Sequence, residues 1–143
     1  MTTTDKDRQL LALLGENARA STSDLARRLG LSRTTVQARI ERLEREGVIT
    51  GYGVRLSEEF ERNIVKAHVL ITAGPKALAR VTAELAAIPE VRTLHSVSGS
   101  FDLIAIVAAQ SIAELDHLID RIGELEGVER TLSSIILSTR INR

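Results

Sequence analysis

The sequence predicts an α+β protein in which an N-terminal three-helix domain precedes a C-terminal βαββαβ ferredoxin-like sandwich. Two observations predict this class. The first fifty residues contain three short segments with helical apolar spacing, and two of them meet at Gly30. From Ile64 onward, β-rich runs and helical runs follow one another in the order strand, helix, strand, strand, helix, strand. The predicted division is a helical domain at 1–50, a linker at 51–62 and the sandwich at 63–143.

Composition narrows the possible classes of protein. Hydrophobic residues make up 43% of the 143 residues but aromatic residues only 2%, so aliphatic side chains must fill the core. Cysteine is absent, which excludes disulfides, cysteine-ligated zinc and thiol catalysis. No run approaches the roughly 20 apolar residues that a membrane span needs, and no basic segment leads into an apolar run at the N-terminus. We therefore expect a cytoplasmic protein with no membrane partner.

The segment around Gly30 meets the steric requirements of a helix-turn-helix. Ala26 is small enough to let a second helix cross the first, Gly30 can adopt positive φ at the corner, and Val36 fills the angle between the helices. Ser32 is the predicted N-cap of the second helix, and Gly47 is the predicted αL residue at its end. Since the second helix of this motif enters the major groove, double-stranded DNA is the first partner that the sequence indicates.

The outward side of the second helix carries side chains that bond base edges or phosphates. The predicted DNA-binding residues are Ser32, Arg33, Thr34, Thr35, Gln37, Ala38, Arg39 and Arg42. Residues 27–42 hold five arginines and one glutamate, a local charge of +4 in a chain of zero net charge. Because so small a patch binds weakly and its affinity falls with salt, we expect a homodimer that reads two half-sites. The alternative is a helical hairpin with a solvated charged face.

The segments that flank the motif have their own signals. Asp5 is the expected N-cap of the first helix, and Ser21 with Asp24 resembles a capping box at the start of the next. Residues 48–56, VITGYGVRL, alternate apolar and polar side chains between glycines. This pattern predicts a short extended segment, either a wing or a linker strand that pairs with a second copy of itself.

The predicted sandwich is apolar on more than one face. Its strands lie in IVKAHVLITA, VRTLHSVSG, FDLIAIVAA and VERTLSSIILSTR, and its helices in PKALARVTAELAAI, with Pro75 in the first turn, and SIAELDHLIDRIGEL. Nearly continuous apolar positions are Leu103, Ile104, Ile106, Val107, Ile135, Ile136 and Leu137. Both sheet faces should therefore be buried, and another subunit's sheet is the simplest cover. We expect an obligate dimer through this domain.

Several of these segments together resemble the Lrp/AsnC family, the feast/famine transcription regulators, over nearly the whole chain. They are DRQLLALL, LSRTTVQARIERLEREGVI, the glycine-containing linker, SGSFDLIAIV and VERTLSSIIL. The resemblance implies a transcription regulator that is not an enzyme and needs no cofactor. It also implies that the ferredoxin-like domain oligomerises and binds a small effector, usually an amino acid, at interfaces between dimers. A higher oligomer such as an octamer is compatible with it.

The resemblance also places the effector site. Carried over by position, the effector-binding residues are Ser98, Gly99, Ser100, Asp102, Ser133 and Ser134. Gly99 and Ser100 are interpreted as a two-residue hairpin loop whose N–H groups can meet a carboxylate, while Asp102 faces an amino group. The alternative is an ordinary turn in which Asp102 bonds local backbone. The sequence departs from the family pattern at Ser100, where an acidic residue is frequent, and at Leu132, where a polar one is common.

Two other functional classes compete with this interpretation. Sirohaem decarboxylase subunits resemble the same two domains, and such an enzyme needs His and Arg groups to hold a carboxylated macrocycle. His68, His95 and His117 fall on two predicted strands and one helix, without the spacing of a metal or acid–base pair, so no metal site is expected. The third class is a sensing or assembly module that does not bind DNA. The basic outer face of the second helix argues against both.

Overall fold

The computed structural model describes residues 2–143, and within them the βαββαβ order and the α+β class are confirmed. Two units divide between Arg55 and Leu56. The first contains α1 (Asp5–Glu16), α2 (Thr22–Leu29) and α3 (Arg33–Arg45). The second contains α4 (Glu58–Glu61), β1 (Val65–Ala73), α5 (Leu78–Ala86), β2 (Val91–Ser96), β3 (Leu103–Ala109), α6 (Ile112–Gly123) and β4 (Val128–Ile135). No helix of this described part is long and apolar enough to cross a membrane.

The start of α1 differs from the prediction. Thr4, not Asp5, is the N-cap, because the Thr4 Oγ1 accepts a hydrogen bond from the Asp7 N–H at 3.2 Å. The Asp7 Oδ2 in turn accepts from the Thr4 N–H at 2.9 Å, which completes a capping box. The prediction for Asp5 was wrong by one residue, and Asp5 is the first residue of the helix. At α2, Ser21 is the N-cap as predicted, but the Asp24 carboxylate pairs with Arg27 and Arg28, so the expected capping box is not completed.

The corner and the end of α3 follow the predicted chemistry. Gly30 has φ of 67°, in the left-handed region that a side chain disfavours, and it turns the chain from α2 toward α3. Ser32 caps α3 by accepting from the Thr35 N–H at 3.1 Å. Beyond α3, Gly47 has φ of 75° and the next N–H, of Val48, donates to the Leu43 carbonyl at 2.9 Å, as in a Schellman motif. The apolar core of this unit is Leu10, Leu14, Leu25, Ala26, Leu29, Val36 and Leu43.

The glycine-containing segment after α3 is not a strand within this chain. Residues 50–57 contain neither helix nor strand, and no wing is formed by the described residues. The side chains of Tyr52, Val54 and Leu56 are all more than half exposed. Of the two alternatives for this segment, the single chain forms no wing, and a strand formed with a second copy stays a prediction.

The sheet has the strand order β2-β3-β1-β4, with every neighbouring pair antiparallel. Alternate residues of the two central strands are buried beneath α5 and α6: Ala67, Val69 and Ile71 on β1, and Leu103, Ala105 and Val107 on β3. The helices contribute Val81, Leu85, Leu115 and Ile122 to the same core. Pro75 was expected in the first turn of α5 but precedes it, because the Ala77 N–H donates to the Gly74 carbonyl at 2.9 Å and closes a separate turn.

The opposite face of the sheet is not covered within the chain. We call it the open sheet face, and define it by the side chains that alternate with the buried ones: Leu70, Ile104, Ile106, Leu132, His68, His95, Thr93 and Ser134. Leu70 lies between Ile104 and Leu132 across the strands. Within one chain only one face is buried, and the expected burial of the open sheet face against another subunit stays a prediction. Ile136 and Leu137, which were also counted in the sheet, lie beyond the end of β4.

Candidate nucleic-acid interface and effector site

The outward side of α3 presents one continuous face. Its side chains are exposed and, together with Thr22 at the start of α2, line an open groove: Arg33, Thr34, Gln37, Ala38 and Glu41. The spacing of three and four residues puts these side chains on one side of the helix. Within the face, the Gln37 Nε2 donates a hydrogen bond to the Glu41 Oε1 at 3.0 Å. We call this set the outer face of α3.

The partial positive charge of the helix dipole at the N-terminus of α3 is not offset by an acidic side chain in its first turn. The Ser32 hydroxyl accepts from the Thr35 N–H and lies 2.8 Å from the Thr35 Oγ1, so these two predicted DNA-binding side chains bond each other and close the first turn. No acidic residue lies in that turn, and Arg33 is its first residue. Because unsatisfied N–H groups and the helix dipole favour an anion here, the end of the helix suits a phosphate.

Most of the basic residues counted in the sequence have partners within the unit. Asp24 pairs with Arg27 and Arg28, and Asp7 pairs with Arg39 and Arg42. Of the five arginines between positions 27 and 42, only Arg33 has no ion pair within residues 2–143. The acidic partners lie outside the sequence window that was counted, so a local charge of +4 overstates what the surface offers.

Asp7 is the centre of a buried ion cluster. Its side chain is fully buried, and the Arg42 Nη2 donates to its two oxygens at 2.8 and 2.7 Å while the Arg39 Nη1 donates to Oδ1 at 3.0 Å. The hydrogen bond from the Thr4 N–H, supported by both guanidinium groups, holds the pKa of the Asp7 carboxyl well below its ordinary value, although burial opposes this shift. The cluster joins α1 to α3.

The predicted role of Arg39 and Arg42 is therefore corrected. Both were placed on the DNA-facing side of α3, but their side chains are only 26% and 30% exposed and turn toward α1. The physical reason is that a buried carboxylate without a cationic partner would be costly, so both guanidinium groups are held at Asp7. Their loss is expected to weaken the fold of the unit rather than remove a direct DNA contact.

Sequence reasoning missed three residues of this region. Asp7 lies three and seven residues before the buried Leu10 and Leu14, so a charge on the apolar stripe of α1 was a readable signal. Arg45 is exposed and follows Glu41 by four residues, which places it on the same side of α3. Thr22 enters the groove only through the crossing of α2 and α3, and helical spacing alone does not reveal it.

The turn between β2 and β3 is longer than predicted. The Val97 N–H donates to the Asp102 carbonyl at 3.0 Å, so four residues, not two, form the loop between them. Gly99 has φ of 110°, which favours glycine there. The N–H groups of residues 98–101, which include Ser98 and Ser100, donate no hydrogen bond within the described chain. They are thus available to an acceptor from outside.

The Asp102 carboxylate bonds backbone, but the backbone of β1 rather than that of its own turn, so neither interpretation of the turn predicted its partners. Its Oδ2 accepts from the Ala73 N–H at 3.0 Å and its own N–H donates to the Ile71 carbonyl at 2.9 Å. The carboxylate therefore fastens the turn to the end of β1. This contact explains an aspartate at position 102 without requiring that it bind the amino group of a ligand.

Ser133 and Ser134 do not join the turn within one chain. Ser133 pairs with Val69 and Ser134 with His68 on β1, so the two serines face opposite sides of the sheet, and β1 separates β4 from β3. The β4 residue that reaches the turn is Arg130, whose guanidinium lies 4.9 Å from the centre of the Phe101 ring. Sequence reasoning missed Arg130 because only the strand register brings it there.

The histidines are dispersed. His68 and His95 lie on β1 and β2, and His117 lies on α6, as their segments predicted. Nowhere in residues 2–143 do three or more His, Cys, Asp or Glu side chains form a group that could hold a metal ion.

Comparison with known proteins gives a consistent result. The family model described as the Lrp/AsnC ligand binding domain matches residues 66–143, and one described as winged helix-turn-helix DNA-binding matches residues 3–50. The HTH-type transcriptional regulator LrpA of Mycobacterium tuberculosis is 39% identical over 136 residues, which cover 94% of this chain and 90% of that protein.

Two solved structures are similar over almost their full length. The structure of E. coli AsnC superposes with a TM-score of 0.87 at 28% identity, covering 100% of this chain and 97% of that one. The leucine response regulatory protein LrpA of Mycobacterium tuberculosis superposes with a TM-score of 0.79 at 37% identity, covering 98% of this chain and 96% of that one.

Proposed function

The chain belongs to the Lrp/AsnC family of helix-turn-helix transcriptional regulators, and from this membership we propose how its two units act. A homodimer places two copies of α3 in major grooves of operator DNA, and the second unit binds an amino acid that changes the assembly or its DNA geometry. In this proposal residues 1–50 are the DNA-binding domain, 51–62 the linker and 63–143 the domain for dimerisation and effector binding.

The outer face of α3 is the observation that carries the DNA-binding part. It combines an exposed Arg33 without an internal ion pair, hydrogen-bonding side chains at Thr34 and Gln37, and the small Ala38, which allows close approach to a groove. These are the groups that position a helix on phosphates and distinguish base edges. A merely structural hairpin has no need of an unpaired cation at the positive end of its second helix.

The open sheet face supports the dimer. Leu70, Ile104 and Leu132 form an apolar row across three strands, and α5 and α6 already cover the other side of the sheet. Burying such a row against a second copy removes apolar surface from water, which is the main driving force of obligate dimers. Dimers assembled through their turns into a larger ring, such as an octamer, are a further part of the proposal.

The β2–β3 turn supports an effector with a carboxylate. Four successive N–H groups at residues 98–101 are left without acceptors in the described chain, and Arg130 stands beside them over Phe101. Backbone N–H groups that converge at a turn bind anions. Since the similar protein of Mycobacterium tuberculosis is a leucine response regulator, leucine is the first amino acid to test.

Replacing Arg33 tests the DNA interface. Arg33→Ala is expected to reduce the slope of log affinity against log salt by about 0.9 for each lost phosphate contact, hence by about 1.8 for a dimer. The measurement is the affinity of the full chain, at several salt concentrations, for a duplex enriched from a random pool by the wild-type protein.

A second arginine serves as the matched control for this test. Arg8→Ala removes the same charge from α1, where Arg8 pairs with Asp5 in an exposed ion pair. Its salt slope should equal that of the wild-type protein. Equal slopes for wild type and Arg33→Ala would contradict the assignment, as would an equal decrease in both variants.

The effector proposal has a chemical test of its own. Leucine is expected to bind the full chain with a measurable heat, whereas leucinamide, which lacks the carboxylate, should bind at least about 10-fold more weakly because the N–H groups of the turn lose their anionic acceptor. Titration calorimetry measures the affinities of both compounds, and then those of the other amino acids. Equal binding of leucine and leucinamide would exclude the turn as a carboxylate site.

A further inference from the structure

We propose that Gln37 recognises an adenine in each half-site of the operator and that Glu41 is the positioning residue that orients the Gln37 amide for this contact. The inference rests on the proposed DNA-binding function. It goes further by naming the base that one side chain recognises. It is carried by the hydrogen bond between these two exposed side chains on the outer face of α3.

The hydrogen bond fixes which way the amide points. A carboxylate can only accept, so the amide must turn its NH₂ group toward Glu41, and the observed 3.0 Å contact joins the Gln37 Nε2 to the Glu41 Oε1. One of the two amide hydrogens is then engaged. The second hydrogen and the Oε1 remain as one donor and one acceptor on a side chain that is exposed on the outer face of α3.

Only one base uses both of these groups in the major groove. Adenine presents the N7 acceptor and the N6 donor, which match the remaining N–H and the Oε1 of Gln37. Guanine presents two acceptors, N7 and O6, so the Oε1 would face another oxygen. Cytosine offers only the N4 donor and thymine only the O4 acceptor, and each satisfies one group and leaves the other without a partner.

The surroundings of Gln37 allow this approach. Ala38, the next residue on the outer face, ends at its Cβ and leaves the groove open. Arg33, one turn earlier, can hold the phosphate backbone while Gln37 meets the base edge, the usual division between positioning and selecting contacts. Neither guanidinium of the Asp7 cluster lies on this side, and no cation of residues 2–143, the nearby Arg45 included, forms an ion pair with the Glu41 carboxylate.

The test is a selection from a pool of random duplexes with the full chain and three variants. Wild type should enrich a site in which one adenine per half-site cannot be replaced without losing about 10-fold or more in affinity. Gln37→Ala should lose the preference at that position alone. Glu41→Gln, which can both donate to and accept from the amide, should relax the preference while DNA binding persists. Gln9→Ala, an exposed glutamine of α1, is the matched control and should enrich the wild-type site.

The outcomes separate this inference from the function on which it rests. Enrichment of a defined site whose Gln37-dependent base is guanine, cytosine or thymine, or of a site that Gln37→Ala leaves unchanged, overturns the adenine assignment and leaves the proposed function standing. An unchanged preference in Glu41→Gln overturns the positioning role. Failure of the wild-type protein to enrich any duplex overturns the proposed function, and the inference with it.

Discussion

Asp7→Asn is expected to lower the free energy of unfolding of the first unit by about 3 kcal/mol, because removing one member of a buried ion cluster leaves its partners without compensation. The Asp7 carboxylate is fully buried and receives hydrogen bonds from both Arg39 and Arg42. Urea unfolding followed by tyrosine fluorescence measures this loss directly, since Tyr52 is the only tyrosine in the chain and belongs to the first unit.

Asp5→Asn is the matched control for this variant. Asp5 is on the same helix, its side chain is 90% exposed, and it forms only the exposed pair with Arg8. The same chemical change there should cost at most about 1 kcal/mol, the upper range for an exposed pair near a helix N-terminus. Comparable losses in the two variants, or no loss in Asp7→Asn, would show that the cluster does not stabilise the unit.

The contribution of Asp7 also has a defined dependence on pH. Its pKa is lowered in the folded state, so its stabilisation is complete above the unfolded carboxyl pKa of about 3.9 and is lost as the pH falls through the lower folded value. The difference in stability between wild type and Asp7→Asn should therefore stay constant from about pH 8 to about pH 5 and shrink below about pH 4. A difference that grows toward acid pH would contradict the assigned direction.

Leu70→Lys is expected to separate the proposed dimer into protomers of 15.6 kDa and to weaken operator binding by about 100-fold or more. Each protomer would then bind a single half-site without the effective concentration that linkage provides. Leu70 lies on a central strand, between Ile104 and Leu132 on the open sheet face. The free-energy cost of burying an unpaired ammonium group between two sheets would exceed the free energy gained on association. Sedimentation equilibrium and DNA titration measure the two effects.

Ile112→Lys supplies the comparison for Leu70→Lys. Ile112 is 64% exposed at the start of α6 and lies off the open sheet face, so the same increase in charge should leave both mass and affinity as in the wild type. Thermal unfolding of each variant shows whether the protomer fold persists. A Leu70→Lys protein with the wild-type mass would contradict dimerisation through the open sheet face.

Local patterns predicted most of the fold. The helices and strands of the second unit follow from apolar spacing within each segment, and Ser21 and Ser32 were recognisable caps because capping depends on three neighbouring residues. The errors came where local signals compete. Thr4 and Asp5 can both cap a helix, and the return bond from Asp7 decides for Thr4. Pro75 suits a first helical turn, yet the preceding glycine carbonyl closes a turn of its own.

The candidate sites were less predictable because their contacts join distant parts of the chain. Helical spacing identified the outer face of α3. The same spacing cannot distinguish Arg39 and Arg42 from solvent-facing arginines, because their partner Asp7 lies on α1 and meets them only in the folded unit. Likewise the contact of Asp102 with the end of β1, and that of Arg130 with Phe101, follow from strand register. A single sequence specifies such pairings only through the completed fold.

In the proposed complex, two copies of α3, held by joined sheets, occupy separate major grooves of one duplex. A hydroxyl-radical footprint of the wild-type protein on its selected duplex measures this most directly. We predict two protected segments on one face of the DNA, with centres about 34–36 Å apart or a multiple of that distance. A single protected segment, or protection without this spacing, would contradict the claim.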